Sequence, residues 1–278
     1  MRHEREGYIM ESELIKAYRE IFMDTSNRPN WAVHKITPGH ESELIHPPIP
    51  FVGKEYCKQT KRILLYASAE NLSKYAGSNG YLDDDEYAIN RHRNTYNESV
   101  SKGLFFPNVH IQPINDGVLP IITLYLYLRY NDIDDITPSD FLERISFANY
   151  CKFTVQSEKN EDYAGVADKV IQSRDYVKRD LSILKPDIII IPKTIYHTAK
   201  EFINGNKGNA VILPILQMNV RNVNIRIKKY PKTPETELNR IIAEWYNNLN
   251  GNGFTGVTRK NFISVFKYMD ECIKEAGL

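Results

Sequence analysis

The segment that most constrains this chain is Leu184-Lys-Pro-Asp-Ile-Ile-Ile-Ile191, four isoleucines entered through a proline turn. A short continuous β-branched run of this kind reads as a central strand of an α/β sheet with both faces covered. Phe147-Ala-Asn-Tyr-Cys-Lys-Phe-Thr154 reads as a second buried parallel strand. It carries Asn149 where a core strand prefers an apolar side chain. A buried primary amide has hydrogen-bonding capacity for up to four partners, so either the fold satisfies it or a ligand does.

Around these two strands the chain alternates. Apolar residues at helical spacing (Leu14, Ile15, Tyr18, Ile21, Phe22) predict an N-terminal helix over 10–24. A loop rich in Pro and His runs from about Asn27 to Gly53, and Arg62-Ile-Leu-Leu-Tyr-Ala67 is the first strand. That strand breaks into Ser68-Ala-Glu-Asn-Leu72, the way a site at the carboxyl end of a sheet usually begins. Residues 76–114 have no periodicity and read as a surface excursion, holding Asp83-Asp-Asp-Glu86, Asn90-Arg-His-Arg93 and Phe105-Phe-Pro107. Asp116 is placed to cap a helix running to about Arg129, and Thr137-Pro-Ser-Asp140 introduces another short helix. A helix over 163–184, the Ile-rich strand, a helix over 194–203 and a strand over 209–216 complete a β/α core. Helices near 234–249 and 260–275 cover the outside. Such alternation implies a mostly parallel sheet with right-handed crossovers. With no repeat and no low-complexity linker, the whole of 1–278 is expected to be one domain, with a long insertion at about 76–146.

Charge is balanced, 36 Lys and Arg against 35 Asp and Glu, but it is not evenly spread. Between Lys193 and Lys232 stand eight basic residues, among them Arg221, Arg226, Lys228 and Lys229, against the single acid Glu201. That stretch either meets an anionic backbone or is a set of solvated surface positions. Three scattered cysteines, Cys57, Cys151 and Cys272, make no disulfide framework and fit a reducing cytoplasm. The N-terminus has no apolar signal region, and no stretch approaches 18 apolar residues, so the chain is expected to be soluble and unexported.

The order of segments resembles the uracil-DNA glycosylase superfamily. Ala148-Asn149-Tyr150-Cys151-Lys152 is similar to the family motif Thr-Asn-Val-Val-Lys at its Asn and Lys, and Pro186 to Ile191 corresponds to the aliphatic third strand. The likeness covers roughly residues 60 to 225. It implies a three-layer α/β/α domain around four parallel strands in the order 2-1-3-4. It also implies a DNA partner and hydrolysis of the N-glycosidic bond of a flipped uracil-like or modified base, with no cofactor. Asn149 then reads the base edge, with Ser68 beside it; the alternative is a structural amide bonded to neighbouring backbone.

Two family motifs are altered. After the first strand, where members carry an acid or amide beside a proline, this chain has Ala67-Ser68-Ala69-Glu70-Asn71. Glu70 or Asn71 orients the water, unless Glu70 is simply a helix-start charge. After the last strand stands Leu216-Gln217-Met218-Asn219-Val-Arg221 in place of His-Pro-Ser. Gln217 and Asn219 offer neutral hydrogen bonds to a departing base, worth about 3 to 4 kcal/mol each when well placed. The DNA backbone would meet Arg221, Arg226, Lys228 and Lys229. Since 81 positions separate Ser68 from Asn149, the insertion fits an enclosed, unusual base. A binding module that kept the fold and lost the chemistry is the alternative.

Other residues have simpler readings. A lysine at a strand end, as Lys152 is, is usually solvated. His92 reads as part of a basic patch on a solvated loop, His197 as a packed helix residue, Asp116 as a cap and Asp83-Asp-Asp-Glu86 as a solvated acidic turn. No His, Cys or acid pair has zinc-site spacing, and there is no glycine-rich phosphate loop.

Overall fold

The computed structural model describes residues 2–24, 26, 28–32, 43–69, 84–101, 126, 127, 129, 130, 141–153, 167–216, 225, 229 and 259–278. Its centre is a five-stranded sheet of β1 (Phe51–Val52), β2 (Ile63–Ala67), β3 (Ser146–Asn149), β4 (Ile188–Pro192) and β5 (Val211–Ile215). The strands lie in the order β1-β3-β2-β4-β5. β3, β2, β4 and β5 are mutually parallel, and β1 runs antiparallel along the outer edge of β3. The sheet is therefore mixed and five-stranded, not the purely parallel four-stranded sheet expected above.

β1 sits inside what reads in sequence as a Pro- and His-rich loop. Pro47, Pro48 and Pro50 lack the N–H that an inner strand must donate, which confines such a segment to a sheet edge. Leu44 through Gly53 is nevertheless buried without interruption. Gly53 makes the close approach there possible, because a Cβ on it would stand 2.3 Å from the Glu143 carbonyl carbon and oxygen. In its place the Gly53 N–H reaches Ile145 O at 3.0 Å.

β4 lies between β2 and β5 with all five residues buried, as its aliphatic run demands. Burying each of those isoleucines contributes about 1.5–3 kcal/mol. Residue alternation divides the sheet's two faces. Leu64, Tyr66, Ala148, Tyr150, Ile189 and Ile191 point into one core cluster. There they meet α1 (Arg2–Met23) through Leu14 and Tyr18, α5 (Arg174–Leu184) through Tyr176, Val177 and Leu181, and α6 (Lys193–Asn206) through Ile195, Ala199 and Ile203. On the other face, α3 (Arg91–Ser101) sets His92 against Phe147 and Tyr96 against Phe51. α2 (Asp85–Ile89) precedes α3, α4 (Ala167–Gln172) precedes α5, and α7 (Arg259–Glu275) closes the chain. The Tyr268 hydroxyl of α7 accepts the Leu216 N–H at the end of β5, at 3.0 Å.

Helix boundaries follow local chemistry. α5 ends where Lys185 takes a left-handed conformation, φ 46°, directly before Pro186, a residue pair that does not continue a helix. Asp84 caps α2, accepting from the Glu86 and Tyr87 N–H groups, so Asp84, Asp85 and Glu86 make a helix start and not a free turn. The basic run that follows is no solvated loop either. Arg91 and His92 are each 2% exposed. His197, expected to pack, lies on the solvent side of α6.

Candidate functional site

β2 and β3 are adjacent, parallel and in register, with Ala67 opposite Asn149. The ladder continues past both strand ends, since Tyr150 N–H donates to Ala67 O and Cys151 N–H to Ser68 O, each at 2.9 Å. Ser68 and Asn149 are thereby held at the carboxyl ends of neighbouring strands, where open α/β sheets place their ligands. Asn149 is 4% exposed, and its Nδ2 is buried with no hydrogen-bond partner. It alternates with Ala148, so it shares the face of Phe147 and His92. A buried amide N–H left unmade costs about 1–3 kcal/mol.

Three residues further on, Lys152 is the opposite of the expected solvated charge. Its Nζ donates to Asp180 Oδ2 at 2.6 Å, and the two side chains are 1% and 0% exposed. The Tyr66 hydroxyl donates to the same oxygen at 3.0 Å and the Tyr18 hydroxyl to Oδ1 at 2.7 Å. Burial, and then the Asp180 charge, raises both tyrosines well above the usual phenol range, so they remain donors. Burial lowers Lys152, with Asp180 opposing it. The Lys152 backbone N–H is also engaged, by Ser173 Oγ at 2.9 Å. This network ties α1, β2, α5 and the end of β3 together.

The sequence does hold a signal for Asp180. On α5 the buried positions are Tyr176, Val177, Asp180, Leu181 and Leu184. One acid in an otherwise apolar helical stripe needs a buried partner.

Other buried groups near the strand ends are chemically quiet. Burial pushes the Cys151 thiol up to about 12, which leaves it a thiol at neutral pH. The Tyr150 hydroxyl is buried without a hydrogen-bond partner, on the face opposite Asn149. Among the described residues, no group of three or more His, Cys, Asp or Glu side chains could hold a metal ion. Among them too, no helix is long and apolar enough to cross a membrane.

Of the remaining site residues drawn from sequence, Glu70, Asn71, Gln217, Asn219, Arg221, Arg226 and Lys228 lie outside the described residues. Lys229 stands 3.5 Å from Glu271, both side chains exposed. Set against known proteins, the chain matches no family model, no curated sequence and no solved structure.

Proposed function

We propose that this chain hydrolyses the N-glycosidic bond of a uracil-like or modified base flipped out of DNA, with Asn149 reading the base edge. The observation that carries the reading is the Asn149 Nδ2, buried at the carboxyl end of β3 without a partner. A base carbonyl is an acceptor that would satisfy it inside a pocket that excludes water. Counted alone, the four parallel strands run 2-1-3-4, which is the family's order, and the helices on the two sheet faces suit a three-layer α/β/α domain. Ser68 directly follows Ala67, the register partner of Asn149, at the end of the adjacent strand. In this reading Glu70 or Asn71 orients the water, and Gln217 or Asn219 steadies the departing base. Arg221, Arg226, Lys228 and Lys229 meet the DNA backbone. The Lys229 pair with Glu271 is exposed, and exposed pairs are weak enough to yield to phosphate.

The test is a panel of oligonucleotides carrying uracil, hypoxanthine or bulky modified pyrimidines, assayed for abasic sites. Release of one base class is expected. Tight binding of a modified strand without release would replace the hydrolase with a non-catalytic module on the same fold. Neither binding nor release across the panel would remove DNA as the partner.

A further inference from the structure

An open cleft of about 210 Å³ lies between the end of α1, the residue four past β3, and the start of α5. Phe153 and Tyr176 in its wall belong to the core cluster of Tyr66 and Tyr150, so the cleft is on the sheet face opposite Asn149. The Tyr176 ring is braced edge-on, with Tyr18 at 4.8 Å and Phe153 at 5.8 Å between centroids.

Both signs of charge line this cleft and do not close on each other. Glu20, Asp24 and Asp175 stand around it with Arg28 and Arg179, and among the described residues none of the five enters an ion pair. Opposite charges that share a cleft without meeting leave a gap that a molecule carrying both signs can bridge. Arg28 is the most constrained of them. Its Nη2 donates to Phe22 O at 2.7 Å, and its guanidinium lies 4.7 Å from the Phe22 ring centroid, a cation–π contact. These contacts orient the cation without neutralising it, and Nη1, unlike Nε, is not buried and donates to no described residue.

Tyr176 is the second observation. It is 3% exposed, yet its hydroxyl, which no described residue bonds, is not fully buried. Burial raises this phenol, Arg28 lowers it and Asp175 raises it again, so charges of both signs act on one uncommitted hydroxyl. An anion alone would meet three carboxylates there, and a cation alone would meet two arginines. The volume is below the roughly 300–1,000 Å³ of drug-sized pockets, which suits a single small molecule. An α-amino acid carries its ammonium and carboxylate on one carbon, and an apolar side chain has Phe153 to pack against. We infer that this cleft binds a free zwitterion of the α-amino-acid type, its carboxylate at Arg28 and its ammonium at Asp175, with the Tyr176 hydroxyl between them.

The experiment titrates the full chain by calorimetry with L-phenylalanine and with two relatives that each lack one charge, L-phenylalaninamide and N-acetyl-L-phenylalanine. Saturable binding of L-phenylalanine is expected, about tenfold or more tighter than either relative, the value of a hydrogen bond to a charged group. Tyr176→Phe keeps the braced ring and should weaken binding about three- to tenfold, and Arg28→Gln and Asp175→Asn about tenfold each, with circular dichroism unchanged. An amino acid has no base edge for Asn149 to read, so Asn149→Leu should bind it as the parent chain does, and the result is independent of the glycosylase proposal. The inference is overturned by absence of saturable binding up to the solubility of L-phenylalanine, by either relative binding as tightly, by indifference to all three cleft variants, or by loss of binding in folded Asn149→Leu.

Discussion

Asn149 and Lys152 are three residues apart and 4% and 3% exposed, yet the fold treats them in opposite ways. Lys152 brings a charge into the core and meets a carboxylate at 2.6 Å that two phenols also hold, with a serine on the lysine's own backbone N–H. Asn149 brings a smaller, neutral group and leaves its Nδ2 unmet. Desolvating a charge costs several kcal/mol, an amide much less. The fold solves the harder problem here and leaves the easier one unmet.

The largest effect expected is on the satisfied side. Lys152→Met strands the Asp180 carboxylate with only two phenol donors and should cost about 3–5 kcal/mol in urea unfolding. The double variant Lys152→Met with Asp180→Leu should recover most of that loss, since well-packed apolar residues often replace a buried pair without penalty. If the double variant is no better than the single one, the network is not the self-contained unit described.

On the unsatisfied side, Asn149→Asp should lower base release by two orders of magnitude or more, about 3 kcal/mol, because it removes the amide donors and sets a charge beside the base. Asn149→Asp also buries an unpaired carboxylate at a position 4% exposed, so stability is read on Asn149→Ala, which adds no charge and should change the melting temperature far less. A large drop in melting temperature with base release retained would make Asn149 structural, and the contrast with Lys152 would disappear.

His46 is an intermediate case, with one ring nitrogen satisfied and the other not. Its Nδ1–H donates to Pro47 O at 2.8 Å, its Nε2 is buried without a partner, and its ring lies tilted against Phe22 with centroids 4.3 Å apart. Burial lowers it from 6.5 to about 4, outweighing the Pro47 hydrogen bond. The folded chain thus stays neutral at His46 where the unfolded chain takes up a proton, so stability is full above pH 6.5 and falls as pH drops toward 4. The loss should reach about 3 kcal/mol at the acid end. Chemical denaturation between pH 7 and 4 measures it, and His46→Leu should flatten that part of the profile. A profile equally steep in the variant would assign the acid sensitivity elsewhere.

The smallest effect separates the two sides of the comparison most cleanly. Tyr66→Phe removes one of three donors to Asp180 and should cost about 1.5–3 kcal/mol of stability, the value of a hydrogen bond to a charged group. Base release by the folded fraction should be unchanged. A specific loss of base release would mean that the Asp180 network reaches through β2 to the Asn149 site.

Much of the architecture is legible in local sequence because local rules set it. The Ile188–Ile191 run, the helical spacing of Leu14 and Tyr18, and the Lys185-Pro186 stop each specify an element without help from distant residues. Asn149 is legible for the same reason, as a polar residue breaking an apolar pattern. β1 is not, because two residues among prolines become a strand only when β3 presents an edge to them. The basic run at 90–93 is misread for a related reason. Arg91 and His92 carry polar side chains, and nothing local indicates that both would be buried, His92 against Phe147.

Sequence by itself determined that this is an α/β chain with a buried aliphatic strand, and that one core strand carries an amide needing partners. Only the tertiary structure decided which buried polar groups find those partners. Asp180 meets Lys152, Tyr18 and Tyr66 across separations of 28, 162 and 114 residues. No local pattern encodes such pairings, because hydrogen bonds between distant segments are fixed by how helices and strands pack. The same packing satisfies Lys152 and leaves the Asn149 amide open.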